Sequence, residues 1–219
     1  MTSYHFDDEY SEEVTLKGTK MLLRCVRPQD KQLLVEGMNH LSETSKYRRF
    51  FTVKHTLSPK ELSFLTEVDG VNHFAMGAAV FHKGKEYGIG IARFIRMEDP
   101  EKAEPAIIIV DEEQGKGLGH LLFLRLVAAA VERGIKRFHC EIQAGNDPIR
   151  QLLDEVPTQH QIEHRGPEDI IEFDLPRVSF YAKDYDEPPK VDPYRRIVKA
   201  IQAGRLRLKN NIFTNFQRK

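Results

Sequence analysis

The stretch "DEEQGKGLGHLL", Asp111 to Leu122, sets three glycines, Gly115, Gly117 and Gly119, within five positions. The apolar run "AIIIV" (106–110) precedes it and "LLFLRLVAAAV" (121–131) follows. A buried strand, a turn of bare backbone and an apolar helix form an arrangement that holds a phosphate, because backbone N–H groups and a helix N-terminus converge on the anion. Glycine lets the ligand approach where a Cβ would stand in the way. Spacing decides which phosphate. A P-loop needs Lys-Ser or Lys-Thr after its last glycine, and no glycine here is so followed. A dinucleotide turn, G-x-G-x-x-G, needs glycine at 120 or at 122, where the chain has His120 and Leu122. The pattern Q/R-x-x-G-x-G/A is met by Gln114, Gly117 and Gly119.

Outward from this turn the chain reads as a mixed α/β sheet with flanking helices. Towards the N-terminus, "EPAIIIVDE" (104–112) is β-branched and apolar on both faces, the mark of a central strand. Before it, "HFAMGAAVFHKG" (73–84) and "EYGIGIARFIRME" (86–98) form a hairpin around Lys83-Gly84. Three short helices come earlier, in 28–41, 42–51 and 58–69. The last carries Ser58 as cap, Pro59 in the first turn and Glu61 to complete a capping box. "KMLLRCV" (20–26) is the first strand. Beyond the turn, a helix over Leu118–Arg133 stops at Gly134. A strand at 135–143, a short helix opening at Asn146-Asp147-Pro148, and a closing hairpin over 160–176 follow.

The 219 residues suffice for one domain with appendages: an acidic flexible arm at 1–19, a globular domain at 20–176 and a basic extension at 177–219. With 40% hydrophobic and 30% charged residues and zero formal net charge, nothing draws the whole chain to nucleic acid. The charge is uneven, since residues 177–219 hold eleven Lys or Arg against four acids. A helix there carries Tyr194, Ile197, Val198 and Ile201 on one face, and is expected to dock on its own domain or on a twin subunit as a homodimer. Cys25 and Cys140, in strand-like apolar segments, read as buried free thiols. An acidic, polar start and no span of roughly 20 apolar residues give the expectation of a cytoplasmic protein without a membrane span. His160 and His164 lie four apart in an extended segment without further ligands at metal spacing, so no metal site is expected.

On these residues the chain resembles the GNAT superfamily of N-acetyltransferases, over about Lys20 to Pro176. "RCVRPQD" looks like that fold's first strand and turn, and "CEIQAGNDPIRQLLDEV" like its later segment. Within the superfamily, "YRRFF", "LSPKELSFLTEVD" and "ARFIR…DPEKAEPAIIIVDEEQGKGLG" are similar to bacterial protein lysine acetyltransferases. Some of those are fused to a cyclic-nucleotide-binding domain, for which these 219 residues leave no room. The resemblance implies acetyl-CoA as acyl donor and a primary amine, a protein lysine first, as acceptor. The pyrophosphate would lie on Gln114, Gly115, Lys116, Gly117, Leu118, Gly119 and His120, and the pantetheine arm against Asn146. The backbone N–H groups of Ile108, Ile109 and Val110 would face the thioester and pantetheine. Glu104, ten residues before Gln114, stands where those lysine acetyltransferases carry a general base. Leu153 departs from the pattern, because many relatives place there a Tyr that protonates the leaving thiolate. Two other readings share the cofactor site: a GNAT enzyme for a small amine, and a non-catalytic acyl-CoA-binding regulator.

Overall fold

The computed structural model describes residues 4–52, 54–154 and 160–175. The basic extension expected at 177–219, with its docking helix, lies outside the described residues. The elements are β1 (Ser11–Leu16), β2 (Thr19–Cys25), α1 (Lys31–Met38), α2 (Glu43–Phe50), α3 (Pro59–Thr66), β3 (His73–His82), β4 (Lys85–Arg96), β5 (Lys102–Ile109), α4 (Leu118–Glu132), β6 (Arg137–Gln143), α5 (Asp147–Asp154), β7 (His160–Arg165) and β8 (Glu168–Asp174). They form one mixed sheet in the order β1-β2-β3-β4-β5-β6-β8-β7. The pairs are antiparallel except β5–β6, which the crossover through α4 makes parallel. The capping box on α3 is formed: the Glu61 N–H donates to Ser58 Oγ (3.3 Å), and the Ser58 N–H to the Glu61 carboxylate (2.8 Å). No helix among the described residues is long and apolar enough to cross a membrane. Cys25 and Cys140 are buried and free.

The N-terminal residues depart from the expected arm. Residues 11–16 are strand β1, paired along its whole length with β2 from Ser11↔Arg24 to Leu16↔Thr19. Lys17 and Gly18 make the turn, both at positive φ (48° and 85°), as a two-residue hairpin loop requires. Lys83-Gly84 repeats that turn between β3 and β4 (φ 50° and 78°). One of the acidic residues, Glu12, meets a cation on α4. Arg125, 0% exposed, donates through Nε (2.9 Å) and Nη2 (2.8 Å) to the two oxygens of Glu12. Tyr10 donates its hydroxyl to the same carboxylate. Further along, Arg133 donates to the Phe6 carbonyl (2.5 Å) and lies over the rings of Tyr4 and Phe74, while Glu132 accepts the Phe6 N–H. Burial raises the Glu132 pKa, against the pull of the His5 N–H and of Arg133.

These contacts explain why α4 is buried almost from end to end. One side packs on Phe74, Met76, Ala92, Phe94, Ala103 and Phe138 of the sheet, and the segment from Phe6 to Val14 belongs to the same core. A helix apolar all round needs cover on every side. The first strand and the residues before it provide part of that cover. Replacing Glu12 by Gln takes the Glu12 carboxylate away from the buried Arg125 guanidinium, and is expected to lower unfolding stability by about 2–3 kcal/mol in urea titrations.

Candidate functional site

The site begins where β5 loses its neighbour. β5 and β6 pair only at Lys102↔Arg137 and Ala103↔Phe138, then diverge. Two bonds fix which way each β5 N–H points: Met97 donates to the Lys102 carbonyl (3.0 Å), and Val110 to the Ile89 carbonyl (3.1 Å). By alternation along an antiparallel ladder, even-numbered β5 residues bond to β4, and odd-numbered residues turn towards β6. Beyond Ala103 those odd positions are Pro105, Ile107 and Ile109. Proline has no N–H, so it suits the position where a donor loses its acceptor. Ile107 and Ile109 then aim their N–H groups into the gap.

This corrects the expectation for Ile108, Ile109 and Val110. Val110 spends its N–H on β4, and the register commits Ile108 to Ile91 in the same way. Of the three, only Ile109 faces the gap, and Ile107, which sequence reading passed over, is its companion. The alternation also sorts the side chains. Ile109 and Ala103 enter the α4 core, while Glu104 and Ile108 lie on the opposite face, towards α2.

The gap opens into a cleft of about 770 Å³ between β5, β6, α2, α4 and α5. At one end lies the glycine turn. Gly115 (φ 67°) and Gly117 (φ 98°) both need the left-handed region, and Gly117 caps α4. Gly119 is helical, and a Cβ on it would meet only Ile109 at an ordinary 3.8 Å, so the protein itself does not demand glycine there. The first turn of α4 directs its N–H groups and the positive end of its dipole into the cleft. Leu118 is 1% exposed, so its side chain belongs to the core and its backbone alone serves this end. His120, one residue into the second half of that turn, is buried and lines the cleft. Lys116 lies at the rim and pairs with Glu113 (3.0 Å).

Gln114 holds the turn in shape. Its Nε2 reaches the Ile109 carbonyl (2.9 Å), Ser45 Oγ (3.1 Å) and Asp111 (3.2 Å), and its own N–H bonds to the Asp111 carbonyl. Lys17, from the N-terminal hairpin, donates to the Gly115 carbonyl (3.3 Å). This cation was hidden in the segment read as a flexible arm, although "KG" at 17–18 is the same turn signal as at 83–84.

Across the gap, Asn146 (6% exposed) and Leu153 (5% exposed) line the wall contributed by α5. At the end opposite the glycine turn stands Glu104, exposed at the start of the unpaired part of β5. Five residues at about 3.3 Å each set it roughly 16 Å along the strand from Ile109. Arg49 of α2 and Cys140 of β6 feel its charge. The Cys140 thiol is pushed above its ordinary range, by burial first and by Glu104 second. The cleft is therefore long, with N–H donors and cations at one end, two strand N–H groups turned away from β4 in the middle and an accessible carboxylate at the other.

The comparisons with known proteins fit this geometry. The acetyltransferase (GNAT) domain family matches residues 20–156. Acetyltransferase PA5475 of Pseudomonas aeruginosa is 28% identical over 135 residues, 62% of this chain and 73% of that protein. Acetyltransferase Pat of Mycolicibacterium smegmatis is 28% identical over 186 residues, 84% of this chain; the chain spans only 55% of that relative's length. The crystal structure of the GNAT domain of S. lividans PAT superposes with a TM-score of 0.69 at 26% identity, covering 78% of this chain and 99% of that one.

The two glycines that differ in backbone demand separate fold from site. Gly117→Ala is expected to cost about 1–2 kcal/mol in urea unfolding, because alanine is strained at φ 98°. Gly119→Ala should stay within about 0.5 kcal/mol of the parent, since its Cβ finds room and alanine favours helix.

Proposed function

Because the chain belongs to the GNAT acetyltransferase family, we propose that its cleft carries acetyl from acetyl-CoA to a protein lysine, with Glu104 as general base. The observation that carries the reading is the position of Glu104: one strand holds the accessible carboxylate, the unpaired N–H groups and, through its C-terminal end, the glycine turn.

Each part has a task that its chemistry suits. The glycine turn, the α4 N-terminus and Lys17 hold the pyrophosphate. Ile107 and Ile109 donate to the pantetheine and to the thioester oxygen as it gains negative charge. Asn146 orients the pantetheine arm from the α5 side. A free lysine, with a pKa of about 10.4, is almost wholly protonated near neutrality, so the acceptor must lose a proton before it attacks. Glu104 takes that proton, directly or through water. The new N–C bond forms, the C–S bond breaks and CoA leaves as thiolate. Leu153 has no proton to give, so the thiolate takes its proton from solvent.

A protein acceptor is supported by the resemblance of the segments around 47–51, 57–69 and 92–119 to protein lysine acetyltransferases. The exposed setting of Glu104, with Tyr47 (47% exposed) and Phe51 (37% exposed) on nearby α2, lets a large acceptor approach. The apolar Leu153 favours one rival, a domain that binds acyl-CoA without turning it over.

Glu104→Gln is expected to bind acetyl-CoA within twofold of the parent and to lower kcat for lysine peptides by well over tenfold. An unchanged rate removes Glu104 from the mechanism. Tight binding with no transfer by the parent protein, across a lysate and an amine panel, would establish the non-catalytic rival. Gly119→Val, by filling the space beside the α4 N-terminus, should weaken acetyl-CoA binding at least tenfold in calorimetric titration.

A further inference from the structure

On the sheet face away from α4 lies a second cavity, of about 110 Å³. α1, α2 and α3 roof it with Leu33, Met38, Phe50 and Leu65. Its floor is kept low by Gly77 and Gly88, whose added Cβ atoms would point towards Val26 and Leu33. It shares Arg49 and Ile108 with the main cleft, so these two side chains border both spaces beside the strand that carries Ile107 and Ile109.

The cavity is apolar in most of its lining but holds two guanidinium groups that have no carboxylate partner among the described residues. Arg93 is 3% exposed, and its Nη1 donates to the Leu65 carbonyl at the end of α3 (3.1 Å) and to His73 Nε2 (3.1 Å). Neither Arg93 nor Arg49 has an acid within ion-pair distance among the described residues. Arg49 feels the negative charge of Glu104, in the main cleft. The third arginine of the lining, Arg24, is already held by Asp30 (2.7 Å) and Glu86 (2.8 Å). Burial, and then the like charge of Arg49, bring the Arg93 pKa down to about 9. A buried cation without a counter-charge is costly, and an anion entering the cavity relieves that cost.

We infer that this cavity receives the acyl chain of the donor, and that Arg49 and Arg93 select a short chain ending in a carboxylate, such as a succinyl thioester. The inference rests on the acyltransferase reading of the main cleft and narrows its donor. Depth decides between donor and acceptor. Arg93 is nearly sealed from solvent, so an acidic side chain on a protein acceptor does not reach it, whereas a slender chain entering past Ile108 does. Space suffices: one water needs about 10–15 Å³ of such volume, and a succinyl group exceeds an acetyl group by only four heavy atoms. The reaction balances as for acetyl. The lysine nitrogen bonds to the acyl carbon, the C–S bond breaks, Glu104 takes the amine proton and CoA leaves as thiolate. The product lysine then carries a negative charge in place of its positive one.

The test compares succinyl-, butyryl- and acetyl-CoA on the full chain, by calorimetric binding and by transfer to lysine peptides at fixed ionic strength. Butyryl has the carbon count of succinyl without the carboxylate. Succinyl-CoA is expected to bind at least tenfold more tightly than butyryl-CoA, and Arg49→Met to bring the ratio close to one. Arg93→Met should do the same. If that buried substitution fails to fold, the parent ratio and Arg49→Met, on the half-buried α2, decide the matter. Butyryl-CoA binding as tightly as succinyl-CoA, or a ratio indifferent to Arg49→Met, overturns the inference. Acetyl transfer without succinyl preference leaves the acyltransferase reading standing and removes the pocket. An Arg49-dependent succinyl preference in binding, with no transfer from any thioester, keeps the pocket and removes the acyltransferase reading.

Discussion

The structure turns on one broken ladder. β5 is central in the sheet, yet after Ala103 it has a partner on one edge only. An unpaired strand edge in the middle of a protein is normally a defect, because buried N–H and C=O groups without partners cost free energy. Here the defect is graded along the strand. Pro105 removes one donor at the point of divergence, and Gln114 from the turn satisfies the Ile109 carbonyl. What remains, the Ile107 and Ile109 N–H groups, faces a cleft long enough for an extended ligand. The same divergence gives the helix after the glycine turn a free N-terminus at the end of that cleft. Binding surface and backbone irregularity are one feature.

Holding a split sheet together puts weight on α4, which spans the back of it. Its burial on nearly all sides depends on the N-terminal segment, tied by Arg125 to Glu12 and by Arg133 to Phe6. This ion pair and this hydrogen bond do more than cover the helix. They fix the β1–β2 hairpin, whose tip brings Lys17 to the Gly115 carbonyl and Leu16 to within 3.8 Å of a Cβ built on Gly117. The stability of the fold and the charge at the phosphate end of the cleft thus share the same residues.

The opposite face of the sheet has another logic. Small residues, Gly77 and Gly88, keep space between the strands and α1, and Arg93 places a charge at its edge. Arg93 satisfies one nitrogen on the end of α3 and on His73, whose own pKa falls to about 4 through burial and the neighbouring guanidinium. A core built only for stability would fill such a space with apolar side chains. The sheet therefore has a closed face under α4 and a hollow one under α1–α3, with β5 contributing to both.

Much of this was legible in the chain. The spacing of Gln114, Gly117 and Gly119 between an apolar strand and an apolar helix gave the turn, and Ser58-Pro59-Glu61 gave the start of α3, because both are local patterns. The Lys17-Gly18 turn was equally local and could have been read; the acidity of residues 7–13 masked it, since the counter-charge of Glu12, Arg125, sits on α4, more than a hundred positions away. The direction of each N–H along β5 was not legible, because it depends on the phase of the ladder with β4, and so Ile107 was passed over for Ile108 and Val110. The pairing of Arg49 with Arg93, and the hollow they share, needed three helices and two strands to be brought together. Sequence by itself determined the fold family and the phosphate turn, because those are written in short-range spacing. Only the tertiary structure decided which backbone groups face the ligand and which charges meet in one cavity, because register and burial are long-range properties of the folded chain.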